Sequence, residues 1–200
     1  MTTFVKQMNS ALNDLLKKDR NVLIGGQLIK YGVAGLTSGL YRKYPKQFIT
    51  YPVSESLMNS SAMGLALAGK RVVMVHVRID FLASGMCALV NHIPIWYKKG
   101  FKLPITLICQ IGKGMGQGPQ HSKNLSSWFE KFEGWTVKTP YTPKEANQML
   151  KESVNGDKPV IFVIHREFFN LKKKQKKKNS KNIKLCGAAR IYEEKFYKKN

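Results

Sequence analysis

Glu55 stands alone in a long uncharged run. The segment Tyr51-Pro-Val-Ser-Glu-Ser-Leu-Met-Asn-Ser-Ser-Ala-Met-Gly-Leu-Ala-Leu-Ala-Gly69 holds no other acid or base, and the next charge is Lys70. A helix this small and apolar reads as buried. A single carboxylate in its first turn has two readings: it caps the helix through the dipole, or it exchanges a proton with something bound there. Burial favours the neutral acid and the helix N-terminus favours the anion. The residues alone leave that contest open.

The second candidate is His121, which ends the run Gly112-Lys-Gly-Met-Gly-Gln-Gly-Pro-Gln-His-Ser122. Of the four histidines it is the one placed where a substrate could reach it. The glycine run itself is no phosphate cradle. A dinucleotide loop needs G-x-G-x-x-G after the first strand and opening a helix, and a P-loop needs Gly-Lys-Ser/Thr. Two readings remain for these glycines: close approach of the backbone to another chain or a ligand, or flexibility. His76, inside an apolar run, is expected to be a satisfied core or edge histidine. His92 and His165 have no neighbours that suggest chemistry. There is no Ser–His–acid arrangement and no cluster of metal ligands.

The elements that must carry these residues are legible from periodicity. Apolar positions Phe4, Val5, Met8, Leu12, Leu15 and Leu16 predict an amphipathic helix over 2–19. Short apolar strands are expected at 22–26, 48–50, 71–77, 104–110, 135–138 and 158–164. Helices are expected at 34–44, 55–68, 81–98 (bent at Pro94) and 143–154. Ser54 and Thr142 are N-caps, and Gly69 is a C-terminal stop. Strands alternating with helices predict a three-layer α/β fold. Its sheet is doubly wound and mainly parallel, with helices on both faces. Ligands bind such sheets beyond the carboxyl ends of the strands. Glu55, Asp80-Phe81 and the 112–122 loop all follow strands, so they should converge on one edge.

Two hundred residues with a hydrophobic fraction of 43% suffice for one domain with a proper core. No apolar run reaches the roughly 18 residues that span a bilayer. The N-terminus lacks the layout of a signal peptide, and a cytoplasmic location is expected. Cys87, Cys109 and Cys186 are odd in number and widely spaced, so no disulfide framework is indicated. Cys87 and Cys109 are expected to be small buried thiols. The formal net charge is +22. Residues 171–200 hold 12 of the 34 Lys and Arg against Glu193 and Glu194. The chain therefore divides into an α/β domain over 1–170 and a lysine-rich tail over 171–200, expected to be disordered or to dock on an acidic partner.

One ordered set of residues carries a family resemblance. Val53-Ser-Glu-Ser, Gly64-Leu-Ala-Leu-Ala-Gly69, Asp80-Phe81, Gly118-Pro-Gln-His-Ser122, Thr139-Pro-Tyr-Thr-Pro143 and Asp157-Lys-Pro-Val160 occur in sequence over residues 4 to about 170. The set resembles the β subunit of thiamine-diphosphate-dependent 2-oxo acid dehydrogenases. More broadly, it is similar to the pyrimidine-binding domain of the transketolase-like group. The resemblance implies that Glu55 hydrogen-bonds the aminopyrimidine of thiamine diphosphate, so that the cofactor's amino group can act as a base. It implies that Phe81 stacks on that ring and that His121 lies beside the substrate. It also implies Mg²⁺ held by a diphosphate-binding α-type subunit, an α2β2 particle, and decarboxylation, dehydrogenation or ketol/acyl transfer on a 2-oxo acid or keto sugar.

The sequence departs from the family pattern in three ways. Gly26 and Gln27 stand where an acidic pair usually follows the first glycine. The chain is expected to lack the family's C-terminal domain, since the lysine-rich tail follows in its place. The Gly-Asp-Gly…Asn motif that holds metal and diphosphate is absent too, so a partner would have to supply it. Two other functions compete: a non-catalytic interaction or scaffold protein derived from this fold, and a basic nucleic-acid-binding protein. The latter is disfavoured, because a lysine-rich tail attracts polyanions without specificity and no aromatic stacking motif accompanies it.

Overall fold

A computed structural model describes residues 2–113 and 115–171. The lysine-rich segment from 172 onward, and Cys186 within it, lie outside the described residues. Six strands form one sheet: β1 Val22–Gly26, β2 Phe48–Thr50, β3 Arg71–His76, β4 Ile105–Ile111, β5 Thr136–Lys138 and β6 Val160–His165. The order across the sheet is β2-β1-β3-β4-β6-β5, and every neighbouring pair is parallel. The edge strands are three residues long, which limits exposed ladder groups.

Helices cover both faces, as expected. On one face lie α1 Phe4–Lys18 and α6 Pro143–Asn155, packed over Ile24, Val73, Val75, Ile108 and Phe162. Phe4, Met8, Leu12 and Leu16 of α1 are fully buried there. Each such side chain contributes about 1.5–3 kcal/mol, far more than intrinsic helix propensity does. Thr142 and Glu145 close a reciprocal capping box that starts α6. On the other face, α3 Glu55–Leu67 packs Met58, Ala62 and Ala66 against Val72, Met74, Leu107 and Cys109. The short helices α4 Ile93–Lys98 and α5 Ser126–Phe129 complete that layer, with Ile93 and Phe129 in the same core. Trp135 donates its indole N–H to the Leu89 carbonyl at 2.7 Å.

Two predicted helices are broken. In place of a helix over 34–44 the chain makes two 3-10 turns, Ile29–Tyr31 and Val33–Gly35, and a four-residue helix, α2 Leu40–Lys43. Gly32, Gly35 and Gly39 all take positive φ, which interrupts the right-handed spiral. In place of one helix over 81–98 there is a 3-10 segment, Ile79–Gly85, a π turn, Ala88–His92, and then α4. Pro94 lacks an N–H and crowds the preceding turn, and the wider π turn relieves it. The break also turns Cys87 outward, so it is exposed rather than buried, while Cys109 is buried as expected.

The 3-10 segment docks directly on α3. A Cβ added at Gly85 would collide with the Asn59 amide and lie 2.9 Å from the Glu55 carbonyl oxygen. Gly64, in the middle of α3, faces open space. Gly85→Ala should therefore destabilise the fold by about 1–3 kcal/mol through overpacking. Gly64→Ala should stabilise it by about 0.5–1 kcal/mol through helix propensity. Denaturant midpoints of the two variants check this; a loss at Gly64 or a gain at Gly85 contradicts the packing described.

Candidate functional site

Helix α3 starts at Glu55 because Ser54 is extended (φ −157°, ψ 93°) and its hydroxyl accepts the Leu57 N–H. That cap sets the first turn of α3, with Glu55 in it, just beyond β2 at the carboxyl edge of the sheet. Glu55 as a residue is 9% exposed. Its Oε1 accepts a hydrogen bond from Gln27 Nε2 at 3.1 Å, and its Oε2 accepts one from Ser84 Oγ at 3.2 Å. Both donors are neutral. Ser84 comes from the 3-10 segment after β3 and Gln27 from the turn after β1, so three crossovers meet at one carboxyl group.

Phe81 and His121 join the same edge. Their rings meet edge to face, with centroids 5.3 Å apart and an interplanar angle of 87°. Ser84 Oγ lies 2.7 Å from the Phe81 carbonyl oxygen, which links Phe81 to Glu55 through one hydroxyl. Asp80 Oδ1 accepts the Lys123 N–H at 3.1 Å and ties the 3-10 segment to the loop after β4. Gly112 passes between the two: an added Cβ there would lie 2.5 Å from the His121 carbonyl oxygen and 2.8 Å from Arg78 Nε. Close backbone approach is thus the role of this first glycine of the loop. Among the described residues His121 Nδ1 is buried with no hydrogen-bond partner. The structure therefore brings Glu55, Phe81 and His121 together.

Several polar residues here escaped sequence reasoning. Ser84 gave no signal, being one hydroxyl in an apolar stretch. Gln27 stood out only as a departure from an acidic pair, and its contact with Glu55 needed the fold. Arg78 is buried, donating to the Val77 carbonyl at 2.7 Å and to Gln117 Oε1. Burial first, and then the neighbouring Arg166, pull its pKa below the usual value, while Asp80 opposes them. Arg166 donates to Gln110 Oε1 at 3.1 Å and lies over the Phe169 ring.

The other histidines stand apart from Glu55, Phe81 and His121. His76 ends β3, fully buried, and burial holds its pKa down to about 3. A satisfied histidine is expected from the sequence, yet among the described residues its Nε2 has no hydrogen-bond partner. Burial, followed by the charge of Lys113, holds His165 down to about 4, so its 3.7 Å approach to Glu167 is no ion pair at neutral pH. His92 is exposed, with Nε2 3.5 Å from Cys87 Sγ. Among the described residues no group of three or more His, Cys, Asp or Glu could hold a metal ion. No single described helix is long and apolar enough to cross a membrane.

Residues 1–171 match the family described as transketolase, pyrimidine binding domain. The chain belongs to this family. The pyruvate dehydrogenase E1 component subunit beta of Chaetosphaeridium globosum is 28% identical over 170 residues, covering 82% of this chain and 52% of that protein. The acetoin:2,6-dichlorophenolindophenol oxidoreductase subunit beta of Cupriavidus necator is 28% identical over 179 residues, covering 82% and 53%. A solved structure described as a split gene transketolase, inactive beta4 tetramer, superposes with a TM-score of 0.68 at 16% identity. That match covers 82% of this chain and 51% of the other, and it shows the shared fold. The chain spans about half the length of the curated relatives it matches.

The pyrimidine-binding domain carries its buried histidines neutral, and this makes its stability depend on pH. An unfolded histidine binds a proton near its ordinary value of 6.5, whereas folded His76 does so only near 3. The unfolded chain thus holds more protons in between. Stability is fully present above about pH 6.5 and falls as the pH drops toward 3, by up to about 1.4 kcal/mol per pH unit for each such proton. Denaturation midpoints between pH 4 and 7 should show this slope, and His76→Gln should flatten it. An unchanged slope in that variant would exclude His76 as its source.

Proposed function

We propose that this chain supplies the pyrimidine-binding half of a thiamine-diphosphate site. A separate α-type subunit completes it, holding the diphosphate and its Mg²⁺, in an α2β2 assembly. The assembled enzyme acts on a 2-oxo acid or keto sugar, by decarboxylation or dehydrogenation, or by ketol or acyl transfer. The observation that carries this reading is the state of Glu55. A nearly buried carboxyl, held only by neutral donors, lies at the start of α3 on the same edge as Phe81 and His121.

The residues fit an aminopyrimidine. Ser84 has one hydrogen to give, and the Phe81 carbonyl at 2.7 Å is a nearer acceptor than Glu55 Oε2 at 3.2 Å. Oε2 can therefore turn to a ring nitrogen at little cost. Phe81 is half-buried and can present its ring to a planar heterocycle. Among the described residues His121 Nδ1 has no hydrogen-bond partner, which a bound molecule could supply. When bound, thiamine diphosphate supplies a carbon nucleophile that adds to a carbonyl and an electron sink for the bond that then breaks. Glu55 holds a proton at the pyrimidine nitrogen, Phe81 orients the ring, and His121 faces the substrate. The relatives' names, with pyruvate and acetoin in them, support a small carbonyl compound as substrate.

A second reading is a protein that keeps this fold and has left catalysis. Gln27, in the place of an acidic residue, favours it. Failure to bind thiamine diphosphate with any partner subunit would decide for it.

The test combines the chain with a diphosphate-binding subunit of the same organism, thiamine diphosphate and Mg²⁺. Glu55→Gln should lower turnover by about a hundredfold to ten-thousandfold, the range for a positioned acid or base. Equal turnover in wild type and variant removes Glu55 from the mechanism.

A further inference from the structure

We propose that Gln27 is a positioning residue: it reserves Oε1 of Glu55 as a hydrogen-bond acceptor and leaves Oε2 for the cofactor's ring nitrogen. The second half of this statement rests on the function proposed above, and the first half does not.

The donor chemistry comes first. An amide nitrogen only donates, so the oxygen 3.1 Å from Gln27 Nε2 carries a lone pair and no hydrogen in that bond. The same nitrogen lies 3.8 Å from Met58 Sδ, a weak acceptor without a hydrogen of its own. The end of the amide that faces Glu55 and Met58 is therefore its donor end. Oε2, in contrast, shares Ser84 with the nearer Phe81 carbonyl. One oxygen of the carboxyl is held and the other is exchangeable.

The backbone around Gln27 is bent to make this contact. Gly26 has φ +149°, and a Cβ there would lie 2.5 Å from the Val75 carbonyl oxygen. Leu28 has φ +56°, left-handed for a branched side chain that is also 59% exposed. A position that only glycine fits and one strained residue, Leu28, thus flank Gln27, and strain of that kind is kept where the surrounding structure demands a fixed aim. They carry Gln27 off the end of β1 and over the start of α3.

An acid at this position would behave differently. Two carboxyl groups in contact cannot both ionise, and such a pair keeps a proton that neither would hold alone. The amide removes that coupling. The charged groups of the adjoining segments are Asp80, whose Oδ1 accepts the Lys123 N–H while its charge acts on Arg78; Arg78, which donates to Val77 and Gln117; and Lys30, which lies over the Tyr41 ring.

The contact is tested on the chain by itself, through denaturation midpoints from pH 4 to 8. Gln27→Glu should be less stable than wild type, and the deficit should grow as the pH rises. The folded pair keeps a proton that the unfolded chain has released above its ordinary value of about 4.3, and stability from such a raised pKa is lost upward. The doubly exchanged variant, Gln27→Glu with Glu55→Gln, restores an amide against a carboxylate, and its deficit should not vary with pH. A deficit in Gln27→Glu that is flat with pH, or one that grows in the double variant too, overturns the proposal.

The cofactor half is read in the assembled enzyme. Gln27→Leu should lower kcat about threefold to tenfold, the scale of one lost neutral hydrogen bond. Calorimetry should show thiamine diphosphate affinity changed much less. Wild-type kcat in Gln27→Leu overturns this half. If wild type itself neither binds the cofactor nor turns over with any partner, the functional reading fails and takes the Oε2 assignment with it. The pH series still decides the Gln27–Glu55 contact.

Discussion

All six strands run the same way, and that single constraint assembles the site. A parallel neighbour can be reached only by crossing back over a face of the sheet, so every strand ends on the same edge. The segments that follow β1, β2, β3 and β4 must therefore meet there. Gln27 arrives from the first, Glu55 from the second, Phe81 and Ser84 from the third, and His121 from the fourth. Residues separated by up to 94 positions become neighbours without any long-range recognition between them.

The electrostatics of that edge are unusual for so basic a chain. The buried Glu55 meets neutral donors from Gln27 and Ser84. Arg78 and Arg166 on this edge repel one another and donate to the side-chain oxygens of Gln117 and Gln110. Neutral amides and hydroxyls thus do the close work. A buried amide donor stabilises an oxygen lone pair without adding a second titration, whereas a lysine or a second acid would tie the site to its own protonation.

Backbone irregularity clusters where this work is done. Gly26 and Leu28 flank Gln27, Gly85 lets the 3-10 segment lie against the first turn of α3, and Gly112 fits between His121 and Arg78. The regular layers on either side, α1 with α6 and α3 with the sheet, are packed tightly enough to hold these bends in place.

Local pattern was sufficient wherever one neighbour relation dominated. The apolar stripe of α1, the caps at Ser54 and Thr142 and the continuous apolar runs of β3, β4 and β6 follow from sequence periodicity and end chemistry alone. So does the candidate carboxylate, because a lone acid in an apolar helix is visible without coordinates. The segments 34–44 and 81–98 depart from the expected helices because positive φ at Ala34, Gly35 and Gly39 and crowding at Pro94 outweigh their apolar spacing. The outward turn of Cys87 follows from the second of these departures. Sequence by itself determined that Glu55 would be isolated and that Phe81 and His121 would lie on its edge, since parallel crossovers leave no other arrangement. Tertiary structure alone decided which side chains hold Glu55. Hydrogen bonds act over about 3 Å, and only packing brings the ends of β1 and β3 that close to α3.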